Sequence, residues 1–338
     1  MKVARLKDIE RIAVEEANKA TLESEDHVLI QIKVVTICGS DVHYFKSQHL
    51  PHHLAYPLVL GHEAAGVVRQ VGRKVTHLKV GDRVAIEPSN WCGKCYYCRT
   101  GRYNFCEKLT FMASKGITGA LREYVSWPAK VVFKLPDNLS FKMGALLEPL
   151  SVAYSAMEKL PLENCSNIAI IGAGSIGMLV GKLISIMYPQ KKVCLIDLHN
   201  DKKRLGERLG LKKEQFLIQG EYKNSDILDL DALIDTTGNT KVVNTFMNYL
   251  RYGGTLVQVG VTDQRLQQTF KQIVYKGLCI IGSYRYANTY PKLISLLKND
   301  DYNIAKIITH NFHLSDVQKA FEIAQSPRCM KVSIIMDK

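Results

Sequence analysis

No stretch of this 338-residue chain is apolar for long enough to cross a bilayer, because charges break the hydrophobic positions throughout. That excludes a helical membrane span. The opening residues, Met1-Lys2-Val3-Ala4-Arg5-Leu6-Lys7, lack the apolar core of a secretory signal. Nor is there a block of like charge. The net charge is +13, but its cations are scattered: Arg69, Arg73, Lys74 and Lys79 in one region, Lys191 and Lys192 in another, then Lys202, Lys203, Arg204, Lys212 and Lys213. A nucleic-acid arm needs such residues in a run. The reading is a solvated basic surface, with attraction for anionic ligands as the alternative. A disulfide framework is also missing. The nine cysteines are an odd number and four crowd into one segment, which suits metal binding in a reducing compartment. The expectation is a cytoplasmic protein that engages neither membrane nor nucleic acid. Its length favours two domains.

What is present comes in a fixed order. Cys38-Gly39-Ser40-Asp41-Val42-His43-Tyr44 is followed by Gly61-His62-Glu63. A thiol, an imidazole and a carboxylate together suit a divalent ion of borderline softness, zinc above all. Three protein ligands leave a fourth position for water or substrate. Taken singly, Cys38 reads as a small buried hydrophobe and His62 as a core histidine; the signals downstream favour the metal. Cys92, Cys95, Cys98 and Cys106 then follow in the spacing C-x2-C-x2-C-x7-C. Four thiolates complete a tetrahedral zinc with no open position, and a four-cysteine iron–sulfur cluster is the competing reading.

Around these residues, Val28, Ile30, Ile32 and Val34 alternate as in a half-buried strand. Short apolar runs at 65–71, 83–86, 121–125 and 131–135 predict more strands, separated by turns, in a small barrel-like domain. A helix is expected over 141–159 with Ser140 as N-cap. Within it Glu148 is either an exposed helix glutamate or a buried acid beside the metal.

Ile168-Ala169-Ile170-Ile171 runs into Gly172-Ala173-Gly174-Ser175-Ile176-Gly177, with a helical stretch from Met178 to Met187. Strand, G-x-G-x-x-G and helix are the context that a dinucleotide fingerprint requires. The next strand, 192–196, ends at Asp197, where an acid accepts ribose hydroxyls and repels a 2′-phosphate. The cofactor read here is therefore NAD. Further strands at 232–235, 255–259 and 279–282 alternate with helical stretches at 202–209 and 241–250, which predicts a doubly wound parallel sheet. Arg285 is either a surface cation or a contact to cofactor or substrate. The tail offers a helix at 315–325 and a strand at 331–336.

Together these residues resemble the zinc-containing medium-chain dehydrogenases, in the polyol branch of sorbitol, xylitol and L-idonate dehydrogenases. The resemblance is carried by the Cys38–Tyr44 and Gly61–Glu63 segments, the four-cysteine loop, Glu148-Pro149-Leu150-Ser151-Val152-Ala153, the glycine fingerprint and Tyr284-Arg285-Tyr286-Ala287-Asn288-Thr289. It implies an α/β protein: a GroES-like β-rich catalytic domain (1–149 and 283–338) split around a Rossmann domain (150–282). It implies a catalytic zinc on Cys38, His62 and Glu63, with Glu148 beside it directly or through water, and a structural zinc on the four cysteines. Asp41 matches the carboxylate that orients the zinc histidine. Ser40 and His43 match a proton relay, and Tyr44, Arg285 and Tyr286 match positions lining a polyol site. Cofactor contacts expected are Gly172, Gly174, Ser175, Ile176, Gly177, Asp197, Lys202, Val259 and Arg285. The implied partners are a small-molecule polyol and a second copy of the chain, as dimer or tetramer. Threonine 3-dehydrogenase, polyol-phosphate dehydrogenases and, outside enzymes, a zinc-ribbon nucleic-acid binder are the rivals. The segment between Gly210 and Asp231 is shorter than in most of the family, so a trimmed crossover is expected there.

Overall fold

The computed structural model describes residues 1–47, 55–114, 116–218, 229–300 and 302–336. The chain opens with an antiparallel pair, β1 (Lys2–Asp8) and β2 (Arg11–Glu16). It continues through β3 (His27–Thr36), α1 (Gly39–Lys46), β4 (Glu63–Val71), β5 (Arg83–Ile86), β6 (Ser89–Asn90), α2 (Tyr96–Arg99), β7 (Thr110–Phe111), β8 (Tyr124–Pro128), β9 (Val132–Lys134) and α3 (Phe141–Met157). An alternating set follows: β10 (Asn167–Ile171), α4 (Ser175–Met187), β11 (Lys192–Asp197), α5 (Asp201–Arg208), β12 (Phe216–Ile218), β13 (Leu230–Asp235), α6 (Thr240–Met247), β14 (Leu250–Gln258), α7 (Phe270–Lys276) and β15 (Cys279–Gly282). The chain then adds α8 (Tyr290–Leu297), β16 (Ile308–His313), α9 (Val317–Ala324) and β17 (Lys331–Ile335).

These elements form two compact units. One is Met1–Pro149 with Ala287–Asp301 and Ile308–Lys338; the other is Leu150–Tyr286 with Tyr302–Ile307. Residues 283–286 and 302–307, expected with the first domain, group with the second unit.

In the first unit the strand order is β16-β17-β3-β4-β5-β9, with β8 also paired to β3. The alternation in β3 does what its period implies: Val28, Ile30 and Ile32 are fully buried in one core with Val68, Val84, Val125 and Phe321. Ser140 caps α3 by accepting the Met143 N–H at 3.2 Å. The strand expected over 121–125 lies instead at Tyr124–Pro128. Leu121 is drawn elsewhere: its N–H bonds the Leu60 carbonyl at 3.0 Å and its carbonyl accepts the Ala4 N–H at 2.8 Å.

In the second unit all six strands are parallel, ordered β12-β11-β10-β13-β14-β15. That order, with β10 as the first strand, is the doubly wound dinucleotide-binding topology. The trimmed crossover expected before Asp231 falls at 219–228, outside the described residues. Among the described residues, no helix is long and apolar enough to cross a membrane.

Candidate active site

The first cluster is built on α1. Phe45 anchors this helix: it is fully buried and its ring lies 5.1 Å from that of Phe321 on α9. Asp41, one turn earlier on the same face, is buried as well. Its Oδ2 accepts the Cys38 N–H at 3.0 Å. Its Oδ1 accepts the Gly61 N–H at 3.1 Å and lies 3.6 Å from His62 Nδ1. One carboxylate thus pins together the two segments that carry Cys38 and His62. Ligand atoms of Cys38, His62 and Glu63 lie within 4.8 Å of one another. Burial disfavours charge on His62, but the Asp41 carboxylate and the Cys38 sulfur outweigh it and hold the imidazole well above its ordinary pKa. Burial likewise pushes Asp41 up, and His62 with the Cys38 and Gly61 N–H groups more than reverses this.

Ser40 and His43, three residues apart on α1, are exposed, and Tyr44 is half-buried. Glu148 is buried on α3 at 5% exposure but stands outside the 4.8 Å ligand set.

The second cluster gathers Cys92, Cys95, Cys98 and Cys106, whose sulfurs also lie within 4.8 Å of one another. Four sulfurs at about 2.3 Å from one tetrahedral zinc sit about 3.8 Å apart. Here Cys95–Cys98 is 3.5 Å and Cys92–Cys98 is 3.9 Å, so the donors fit a single ion at their centre. The Lys94 and Cys95 N–H groups lower Cys92 to about 6, while burial pushes Cys98 up to about 12. Trp91 and Tyr103 stack at 5.1 Å beside the loop, and Lys130 caps the Trp91 ring at 4.4 Å.

In the second unit the fingerprint turns from β10 into α4. Gly172 has φ +91°, and a Cβ on Gly177 would stand 1.8 Å from the Gly172 carbonyl oxygen; only glycine permits that approach. Ser175, Ile176 and Gly177 open α4, where N–H groups lack helical partners and favour anions. Asp197 ends β11; it accepts the Ala173 N–H at 2.8 Å and the His199 N–H at 3.0 Å. Gly172, Asp197, Leu198, Thr237, Asn239 and Val242 line a cavity of 280 Å³. Lys202 is buried on α5 and Val259 follows β14; neither lines that cavity. Arg285 has φ +51° and lays its guanidinium 5.1 Å from the Tyr284 ring centre, and Tyr286 is buried.

Residues 24–137 match the alcohol dehydrogenase GroES-like domain, and residues 176–299 match the zinc-binding dehydrogenase domain. This chain is a zinc-binding dehydrogenase. It is an oxidoreductase with a GroES-like domain and a Rossmann-type parallel-sheet domain. The dehydrogenase is similar to an L-idonate 5-dehydrogenase of Vitis vinifera, 34% identical over 87% of this chain and 84% of the relative. It is similar also to a sorbitol dehydrogenase of Arabidopsis thaliana, 33% identical over 90% and 87%. An alcohol dehydrogenase of Escherichia coli solved with NADH has TM-score 0.88 at 26% identity, over 99% of both chains.

Two buried ionisable side chains of the first unit, among others, escape sequence reasoning. Lys331, which opens β17, places Nζ 2.8 and 3.0 Å from the two Glu63 carboxylate oxygens and 3.1 Å from the Ile37 carbonyl. The Thr36 hydroxyl donates to the same carboxylate. Burial disfavours the ammonium, but Glu63 and Cys38 more than restore it, so Lys331 stays charged. A lysine heading a mostly apolar strand is its trace in the sequence. Glu87 is the second. Burial, aided by the like charge of Glu148 and opposed by a 3.2 Å bond from the Tyr103 hydroxyl, raises it to about 8.

Proposed function

We propose that this dehydrogenase reversibly oxidises a secondary alcohol of a polyol to a ketose with NAD. The observation that carries the reading is the convergence of Cys38, His62 and Glu63, a three-residue donor set that suits zinc and leaves it an open position. The names of the L-idonate and sorbitol relatives support a polyol rather than a simple alcohol. When bound, zinc supplies Lewis acidity toward the substrate oxygen and NAD accepts the hydride. Asp41 holds the His62 ring in its ligating orientation. The Ser40 hydroxyl takes the alcohol proton and His43 delivers it to solvent, a direction that their exposure supports. Glu148, buried nearby, accepts a second substrate hydroxyl. Tyr44, half-buried on α1, is the proposed substrate contact of the first unit.

The four cysteines hold a second, structural zinc that supplies folding energy to a loop with little apolar material. The second unit, Leu150–Tyr286 with Tyr302–Ile307, is the NAD-binding domain and the first unit the catalytic one. Asp197 favours NAD over NADP because its carboxylate would face a 2′-phosphate, with Leu198 next to it rather than a compensating cation. None of the nine cysteines is in a disulfide, in keeping with a cytoplasmic site of action.

The test is NADH formation by zinc-loaded protein on sorbitol, xylitol, L-idonate, ribitol, polyol phosphates, L-threonine and simple alcohols, each with NAD and NADP. Turnover of a polyol with NAD is expected. Turnover of threonine alone would overturn the substrate class, and preference for NADP would overturn the role of Asp197.

The same reading includes a homo-oligomer. Edge strand β15 exposes Cys279 and Ile280, and Tyr252, Phe270, Val274 and Tyr275 are exposed in the neighbouring β14 and α7. An unpaired apolar edge suits the same edge of a second copy. Ile280→Lys is expected to halve the mass measured by light scattering; an unchanged mass would place the contact elsewhere.

A further inference from the structure

At the end of β13 stands Asp235, fully buried. Its carboxylate is met by dipoles. Oδ1 accepts the Thr237 N–H at 3.0 Å and the Thr237 hydroxyl at 2.6 Å. Oδ2 accepts the Gly238 N–H at 2.8 Å and the Gln258 side-chain amide at 2.5 Å. The Asp235 backbone carbonyl accepts two more N–H groups, from Val259 at 2.8 Å and Gly260 at 3.0 Å. Gln258 closes the circle by donating also to the Gly260 carbonyl at 2.7 Å. One residue therefore fixes both the 236–239 loop and the end of β14.

The 236–239 loop in turn shapes the fingerprint. The Thr236 hydroxyl reaches the Ile171 and Gly172 carbonyl oxygens at 2.9 and 3.1 Å. A Cβ on Gly172 would stand 2.7 Å from Thr236 Oγ1 and 2.5 Å from Thr237 Cγ2. Thr237 and Asn239 line the 280 Å³ cavity together with Gly172 and Asp197. Thr237 Oγ1 also accepts the Asn239 N–H at 3.0 Å, and Asn239 caps α6. The chain of contact thus runs from a buried charge to the groove wall without a break.

We propose that Asp235 and Gln258 form a carboxylate–amide clamp that pre-shapes the cofactor groove, acting as positioning residues for the dinucleotide. The inference rests on the reading of this groove as the NAD site. A groove held in its binding shape spares the ligand the cost of ordering it. Loosening the clamp weakens the cofactor without touching the reacting centre, because neither residue belongs to the metal clusters or the proton relay.

The experiment compares wild type, Asp235→Asn and Gln258→Leu in the zinc-loaded protein. The readouts are NADH affinity from fluorescence titration, turnover at saturating NAD, zinc content and thermal unfolding. Asp235→Asn sets an amide donor against the Gly238 N–H or the Gln258 amide. Gln258→Leu leaves Asp235 three of its four side-chain partners and is the variant that tests the clamp if Asp235→Asn does not fold. Losing hydrogen bonds to a charged group is expected to raise the NADH Kd roughly 10- to 100-fold. The split is the signature: KM for NAD rises with the Kd, while turnover at saturation stays within about twofold. A general folding defect would lower turnover and zinc content together and would count against a positioning role. Wild-type affinity in a folded Gln258→Leu protein would remove the clamp and leave the NAD reading intact. Failure of wild type itself to bind NADH would remove both.

Discussion

Replacing Cys38 by serine is expected to lower turnover roughly 1,000-fold or more, since Lewis-acid stabilisation of several kcal/mol is withdrawn. The geometry makes this a clean experiment. Asp41 Oδ2 holds the segment through the Cys38 backbone N–H at 3.0 Å, a bond that persists when the thiolate goes. A serine hydroxyl is a far weaker zinc ligand than a thiolate. Elemental analysis should then find one zinc per chain against the two expected for wild type, because the four-cysteine cluster is separate. NADH binding should be unchanged, since Cys38 belongs to the first unit and the fingerprint to the second. Full activity in a one-zinc Cys38→Ser protein would sink the assignment of this cluster as the reacting centre.

Lys331→Met is expected to have the largest effect on stability. Methionine keeps the length of the side chain and removes its charge. Glu63, fully buried, then keeps, among the described residues, the hydroxyl donor from Thr36. Breaking a buried pair by removing one partner costs about 3–5 kcal/mol, a large share of the roughly 5–15 kcal/mol that holds a domain folded. Zinc changes the sum. A cation among Cys38, His62 and Glu63 faces the same carboxylate and replaces part of what the ammonium supplied. The loss relative to wild type should therefore be larger when both proteins are unfolded by urea in chelator than when both carry metal. Lys331→Arg should recover most of it. An equal deficit with and without metal would show that Lys331 and zinc do not share Glu63.

These two experiments also mark where the sequence is legible. Cys38, His62 and the four clustered cysteines announce themselves because thiols and imidazoles are uncommon and their chemistry is narrow. The fingerprint does so because glycine is demanded by backbone geometry at Gly172 and Gly177. The strands β10, β11, β13, β14 and β15 were visible as apolar runs, whereas three-residue β12 was too short to read. Lys331 was invisible for a different reason. A lysine is by default a surface residue, and the partner that overrides the default lies 268 residues away. Asp235 suffered the same way: an acid at a strand end looks like a turn residue until Gln258, 23 residues on, is brought beside it. The β1–β2 hairpin was missed because its apolar residues are interleaved with Lys2, Arg5 and Lys7. Burial of Leu6 and Ile12 in the shared core decides that segment, and long-range packing is not written in a local pattern.

The position of β17 sets an order of assembly on the ribosome. It pairs with β3 at Ser333–Thr36, Ile334–Val35 and Ile335–Val34, and it brings Lys331 to Glu63. At about 5–20 residues per second, β3 emerges roughly 15–60 s before its partner strand exists. During that interval the nascent sheet has an open side, and the carboxylate that begins β4 has no ammonium to meet it. The whole alternating second unit, residues 302–307 included, is synthesised in the meantime. A ribosome halted near residue 300 would therefore display a nearly finished nucleotide fold tethered to an unfinished reaction centre.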